Sequence, residues 1–445
     1  MTIEQRFIKR HPASEALYSR ASSVLPSGVT HDARYQRPFP VYIDRAAGPR
    51  KWDVDGHELI DYVMGHGSLL LGHNHPVVTE AAARQLQRGT HYGGSHEAEI
   101  AWAEEVIRLV PSAEMVRFTS SGTEATLMAL RLARATTGLP GVLKFDRHFH
   151  GWHDYVISSS KYDAKAPAGV PQTTLDSVVV IAPEMHLVRE TLAARPDIGT
   201  VIVEASGASM GTIPLPPGFL RELREVTQAR GLAMVMDEVV TGFRWSPGGV
   251  QQLEGVSPDL TALAKILAGG LPGGAVAGRR DIMERLEFPT GERKVDKVGH
   301  PGTFNANPLS AIAGVAALRE IADGSHQAQA SEITRRIQAG MNGALRERGI
   351  PGYAYGQAST FRFVLGGEEI PEARAYGPNE IDLALLQRGN ASEVQRLMNL
   401  AMVTRGVHFF GNGGIVSSVH REAEVAATID AWGATLDELR AEGLL

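Results

Sequence analysis

The chain of 445 residues contains no cysteine. A disulfide framework, a thiolate zinc site and a cysteine nucleophile are all excluded by that absence. Nowhere do about 18 apolar residues run together, so no segment reads as a membrane-spanning helix. The N-terminus, MTIEQRFIKRHPASEALYSRA, is polar and charged where a signal peptide needs an apolar core. A cytoplasmic protein is the expectation. Long runs of Lys or Arg are missing too, and 44 basic against 50 acidic residues leave a net charge of -6. That balance argues against nucleic acid or an anionic membrane surface as a main partner.

What is present is an ordinary globular balance of 43% apolar and 21% charged residues, in a chain long enough for a large domain and a smaller one. Residues 1–55 read as an N-terminal segment with a short amphipathic helix, a polar turn region and a hairpin-like stretch, VYIDRAAGPRKWDVDG. From about 76 to 330, within a large domain expected over 56–328, short Val- and Ile-rich runs alternate with helical patterns. GVLKFD (141–146), SVVVIAP (177–183), TVIVEA (200–205), AMVMDE (233–238) and LTALAK (260–265) are near-continuous apolar strands. Such strands separated by helices predict an α/β domain with a parallel sheet covered on both faces. From 329 to 445 a helix at 330–349, short strands in STFRFVL and GVHFFGNGGIVSS, and a closing helix from 421 predict a smaller α+β domain. The N-terminal segment is expected to pack with it.

In open parallel sheets, functional groups gather beyond the C-terminal ends of the strands. TVIVE ends on Glu204, AMVMD on Asp237 and LTALAK on Lys265. Any one of these alone reads as a surface residue at a strand exit. Together they suggest a site of perturbed ionisable groups. Lys265 stands between TALA and ILAGGLPGG, with no neighbouring charge to solvate it. Desolvation disfavours the ammonium, and the neutral amine is the form that attacks a carbonyl, so a Schiff-base lysine is predicted. An aldehyde cofactor with an aromatic nitrogen also needs a carboxylate on that nitrogen, which Asp237 can supply. Its phosphate needs a cradle. FTSSGTEATLMALRLARA (118–135) reads as a strand end, a turn and a long helix, with the N–H groups of Gly122 and Thr123 and the hydroxyls of Ser121 and Thr123 aimed at a dianion.

With these blocks in order, the chain resembles the class III, fold-type I pyridoxal 5'-phosphate aminotransferases. The resemblance is carried by SGTEA (121–125), FHG (149–151), MDEVVTGFR (236–244), ALAKILAGGLPGGAVAGRRDIM (262–283) and GTFNANP (302–308). It is closest to the branch holding glutamate-1-semialdehyde aminomutases, D-phenylglycine aminotransferases and β-amino-acid aminotransferases. The resemblance implies a large domain with a mostly parallel sheet of the seven-stranded type, and a smaller α+β domain. It implies pyridoxal 5'-phosphate on Lys265, an aromatic at Phe149 stacked on the cofactor ring, and Val239 against the opposite face. It further implies a homodimer in which Thr303 reaches the partner's cofactor phosphate, and Arg34, in GVTHDAR (28–34), holding the substrate carboxylate. Glu204 is kept from the family pattern, but VEASGAS (203–209) stands where the family commonly has Glu-Pro.

RHFHGWH (147–153) invites a metal reading, since His148 and His150 fall on one side of an extended segment. No third ligand follows at a metal spacing, so the stretch is read as a cofactor wall and no metal is expected. GGLPGGAVAG (269–278) is read as a tight turn after the lysine. His31 replaces the serine usual in the aminomutases, and GVHFFGNGG (406–414) lacks the acid expected for a γ-amino aldehyde substrate. GHGSLLLGHNHP, SHEAEIAWAE and FHGWHD look instead like the D-phenylglycine variant. An aryl D-α- or β-amino acid is thus the expected donor, with a keto acid as acceptor and the aminomutase reaction as the alternative. A binding module that has kept only the cofactor fold, and a metal-dependent hydrolase, are the competing classes.

Overall fold

The computed structural model describes residues 1–158, 166–290 and 296–445. In chain order the strands are β1 (Ile43–Ala47), β2 (Arg50–Asp53), β3 (Glu58–Asp61), β4 (Met115–Thr119), β5 (Gly141–Phe145), β6 (Val178–Ile181) and β7 (Ile198–Glu204). There follow β8 (Ala233–Asp237), β9 (Leu260–Ala264), β10 (Gly274–Gly278), β11 (Gly352–Gln357), β12 (Thr360–Leu365), β13 (Val407–His408) and β14 (Gly413–Ile415). The chain divides into two compact units. One is Pro76–Gln327, and the other joins Met1–His75 to Ala328–Leu445.

The unit Pro76–Gln327 is built on a seven-stranded sheet in the order β4-β10-β9-β8-β7-β5-β6. Strands β5 to β9 pair with one another and with β6 in parallel. Every residue of β5, β7, β8 and β9 is buried, which explains why these runs show no polar alternation. Adjacent residues feed opposite cores. Leu143, Val201 and Met234 pack on one face with Phe219 and Leu223, while Val142, Ile202 and Val235 pack on the other with Met128 and Leu132. All five apolar runs read from the sequence are strands here.

The stretch GGLPGGAVAG is more than the turn expected of it. Gly269 and Gly270 do turn, at φ +61° and +93°, but Gly274–Gly278 is β10, antiparallel to both β4 and β9. Small residues are required there because a Cβ at Gly274 would collide with the Ser121 carbonyl.

The other unit carries a four-stranded sheet, β1-β2-β3-β13, and a three-stranded one, β11-β12-β14. The expected boundary between residues 55 and 56 is misplaced. β3 pairs in parallel with β13, Ile60 opposite Val407 and Asp61 opposite His408, so residues 56–75 fold with the chain's two ends. The predicted helices at 330–349 and from 421 are Ser325–Glu347 and Glu422–Ala441. Trp432, on the last of these, packs against Phe363 with ring centroids 4.9 Å apart. Lys51 and Asp61 form a buried ion pair at 2.7 Å, and His73 Nε2 lies 2.8 Å from the other Asp61 oxygen. Among the described residues, no helix is long and apolar enough to cross a membrane.

Candidate active site

The parallel register of β7, β8 and β9 sets Glu204 opposite Asp237 and Asp237 opposite Ala262, just short of Lys265. Lys265 leaves the strand as the first residue of a 3-10 turn, Lys265–Ala268, at φ +55°. A side-chain-bearing residue in that left-handed region costs about 1–3 kcal/mol, so the surroundings must hold it. Trp102 does part of this. It stacks on Phe118 at 4.0 Å between ring centroids and donates its indole N–H to the Leu267 carbonyl at 2.9 Å. Burial pushes the Lys265 ammonium pKa down; Asp237 and Glu204 oppose the shift, and the Arg244 charge adds to it.

Asp237 is buried. One carboxylate oxygen accepts the Val239 N–H at 3.0 Å, and the other lies 2.8 Å from His150 Nδ1. His148 Nδ1 accepts the Glu204 N–H at 2.9 Å. The Glu204 carboxylate in turn accepts backbone N–H groups of Phe149 (2.6 Å), Ser209 (3.0 Å) and Met210 (3.2 Å). Burial and the Asp237 charge push the Glu204 carboxyl up to about 7 despite those three donors. RHFHGWH is therefore laced to the ends of β7 and β8 by both histidines. His150 is the residue that sequence reasoning undervalued. Its signal was the two-residue spacing from His148, read as metal-like, and what the spacing serves is hydrogen bonding. The Phe149 ring, given the leading role from sequence, is 63% exposed.

The helix Gly122–Thr137 starts at the end of β4. Its cap is Ser121, whose Oγ accepts the Glu124 N–H at 3.2 Å and keeps its own hydrogen free to donate. A Cβ on Gly122 would come within 2.8 Å of Val239 Cγ1 and 3.4 Å of Ala264 Cβ. Glycine thus lets the positive end of the helix dipole approach the strand ends that carry Asp237 and Lys265. Thr123 meets the other wall: a Cβ on Gly151, at φ +102°, would stand 2.6 Å from Thr123 Oγ1. Thr126 Oγ1 donates to the His150 carbonyl at 2.6 Å, fixing the loop to the helix. Lys265, Asp237, Glu204, Val239, Phe149 and Ser121–Thr123 are thereby gathered in one unit. Thr303 belongs to the same unit and is exposed, shortly before the helix Pro308–Glu320.

Arg34 belongs to the other unit, exposed in the turn Asp32–Arg34, with Nη1 3.0 Å from Thr30 Oγ1. A cavity of about 750 Å³ there is lined by Arg34, Tyr35, Tyr42, His66 and Phe410 among others, and by no Asp or Glu. His66 stacks on His31 at 5.0 Å and meets the Phe410 ring edge-on at 5.3 Å.

The family model described as "Aminotransferase class-III" matches residues 31–350. A glutamate-1-semialdehyde 2,1-aminomutase of Methanothermobacter thermautotrophicus is 41% identical over 372 residues, 82% of this chain and 86% of the relative. Among solved structures, an omega-transaminase from Sphaerobacter thermophilus superposes with a TM-score of 0.87 at 34% identity, covering 97% of this chain and 99% of that one. A beta-phenylalanine aminotransferase from Variovorax paradoxus gives 0.85 at 25% identity, covering 99% and 97%. By strand order, by the residues gathered at the strand ends and by these matches, the chain belongs to the class III aminotransferases, which use pyridoxal phosphate.

Proposed function

We propose that this chain moves an amino group between a carboxylate-bearing, aryl-substituted amino acid and a keto acid. The observation that carries the reading is the meeting of Lys265, the Asp237–His150 pair and the Gly122 helix end in one unit. The donor set fits pyridoxal phosphate: an amine for its aldehyde, a buried carboxylate for its ring nitrogen, and a glycine-cleared helix N-terminus for its phosphate. When bound, the cofactor supplies an electron sink for the charge left on the substrate carbon.

The chain's own groups divide the remaining work. Lys265 Nζ would hold the cofactor's aldehyde carbon and be freed when the substrate's amine takes its place. With its proton affinity lowered by burial, the same nitrogen takes the proton from the substrate's amine-bearing carbon and returns it. Asp237 would face the ring nitrogen and favour its protonated form, and His150 Nδ1–H fixes that carboxylate. Ser121, Gly122 and Thr123 bind the phosphate. Phe149 and Val239 flank the ring, and Glu204 anchors the Phe149 backbone. Arg34 supplies a bidentate partner for the substrate carboxylate. Thr303 completes the phosphate site of a second copy, so the active form is a homodimer.

Two chemistries remain in competition for the substrate. The relatives named as aminomutases support the intramolecular exchange, and on names that reading is the better supported. The aryl reading rests on the stretches GHGSLLLGHNHP, SHEAEIAWAE and FHGWHD, and on GVHFFGNGG lacking the acid expected for a γ-amino aldehyde substrate. A single-turnover experiment without keto acid separates them. The visible band of the holoenzyme is followed against both phenylglycine enantiomers, both β-phenylalanine enantiomers and glutamate-1-semialdehyde. Loss of the band with release of an aryl keto acid supports transfer. Conversion of the semialdehyde to 5-aminolevulinate, with no keto product, overturns the aryl reading.

A further inference from the structure

Away from the lysine site, His11 joins the helices Ile3–Arg10 and Pro12–Ser22 and is fully buried. Its Nδ1 lies 2.7 Å from the Phe7 carbonyl oxygen, which only accepts, so Nδ1 carries the proton and Nε2 is a bare lone pair. That Nε2 is buried with no hydrogen-bond partner and faces Asp53 Oδ2 at 3.5 Å, acceptor against acceptor. Asp53 cannot turn away. Its Oδ1 takes the N–H groups of Asp55 (3.0 Å) and His57 (2.7 Å), and Oδ2 lies 3.0 Å from His57 Nδ1. The three ligand atoms of His11, Asp53 and His57 all fall within 4.8 Å of one another. Two lone-pair atoms pressed together out of water need a cation between them.

We propose that His11, Asp53 and His57 bind one divalent transition-metal ion of the zinc type. Two imidazole nitrogens and one carboxylate oxygen suit that class and not the oxygen-seeking Mg²⁺ or Ca²⁺. The Phe7 carbonyl on Nδ1 is the outer partner that a ligating histidine requires to fix its tautomer. His57, one-quarter exposed, would turn its Nδ1 lone pair to the ion while its ring proton sits on the solvent-facing Nε2, and a water would take the fourth position. A proton is the other cation that fits, and with a proton there the wild type would take up no ion. The ion would clip the junction of the first two helices to the β2–β3 turn. That turn already grips the second helix, since Asp55 accepts the N–H groups of Ala13 (2.6 Å) and Ser14 (3.0 Å). The sequence reading expected no metal; the ligands lie too far apart in the chain to form a spacing.

The test uses tag-free holoenzyme stripped with a chelator and titrated with Zn²⁺ or Co²⁺. The expected result is one ion per chain by elemental analysis and a Co²⁺ visible spectrum. Both should be lost at least tenfold in affinity in His11→Gln and His57→Gln. The partly exposed His57 keeps the test sound if the buried His11 variant fails to fold. No uptake by the wild type, or equal uptake by folded His57→Gln, overturns the proposal.

Discussion

Replacing Glu204 by glutamine tests the electrostatics at the strand ends. The folded chain holds the Glu204 proton up to about pH 7, whereas the ordinary value is 4.5. The unfolded chain releases that proton first as pH rises, so the folded state binds more protons between those values and its stability falls across this interval. At about 1.4 kcal/mol per pKa unit the loss is about 3 kcal/mol, complete just above pH 7. Glutamine abolishes this slope and brings a pH-independent cost of its own. Its single oxygen can keep two of the three backbone donors, leaving one N–H facing an amide NH₂ at about 1–3 kcal/mol. The segment so loosened is strained, because Ser209 and Met210 sit at φ +50° and +62°. The variant is therefore expected to be less stable than wild type at pH 5, with the gap closing by up to about 3 kcal/mol by pH 8.5. Thermal unfolding of both cofactor-free proteins across that range reads it directly. At roughly 2 °C per kcal/mol for a unit of this size, the two melting profiles should converge by roughly 6 °C. Parallel profiles would refute the idea that Glu204 is a proton-holding carboxyl in the folded chain.

Lys265→Ala should fold, carry no covalently held cofactor by mass spectrometry, and show almost no turnover; retained activity would end the assignment. Gly122→Ala places a methyl 2.8 Å from Val239 and is expected to weaken cofactor binding at least tenfold in an equilibrium titration, with little change in melting temperature. Asp61→Asn should cost about 3–5 kcal/mol in chemical denaturation, because it leaves Lys51 buried without its partner charge. Burial alone would raise the Asp61 carboxyl, but the Lys51 charge and the His73 hydrogen bond hold it well below the ordinary range. Its stabilisation is thus present above about pH 4 and lost as the pH falls. The asparagine variant should accordingly show a flatter stability profile below that pH.

The sheet was legible because its central strands are buried on both faces, and a run such as TVIVE permits few other readings. The ionisable residue closing each of three runs was legible for a geometric reason, since parallel strands bring their C-terminal ends to one edge. β10 was hidden because its requirement is smallness, and a run of Gly, Ala and Val between glycines looks like a turn. Residues 56–75 were assigned to the large domain because nothing local announces that β3 pairs with β13 near the other end of the chain. His150 was noticed but given no role of its own. Spacing identifies which groups share a side, but the partner that claims them, here Asp237, is set by tertiary register.

β10 also carries a lesson about assembly. Among the described residues it alone links β4, which leads into the helix Gly122–Thr137, to β9, which presents the lysine. Synthesis delivers the helix early, the lysine much later and the connecting strand last of the three. A nascent chain can pair β5 to β9 in parallel and pack its helix on them, yet β4 has no neighbour in the sheet until Gly274–Gly278 slides between it and β9. The edge strand that precedes the helix is therefore completed only after the lysine has been made, and a chain truncated before Gly274 is expected to hold Met115–Thr119 loosely.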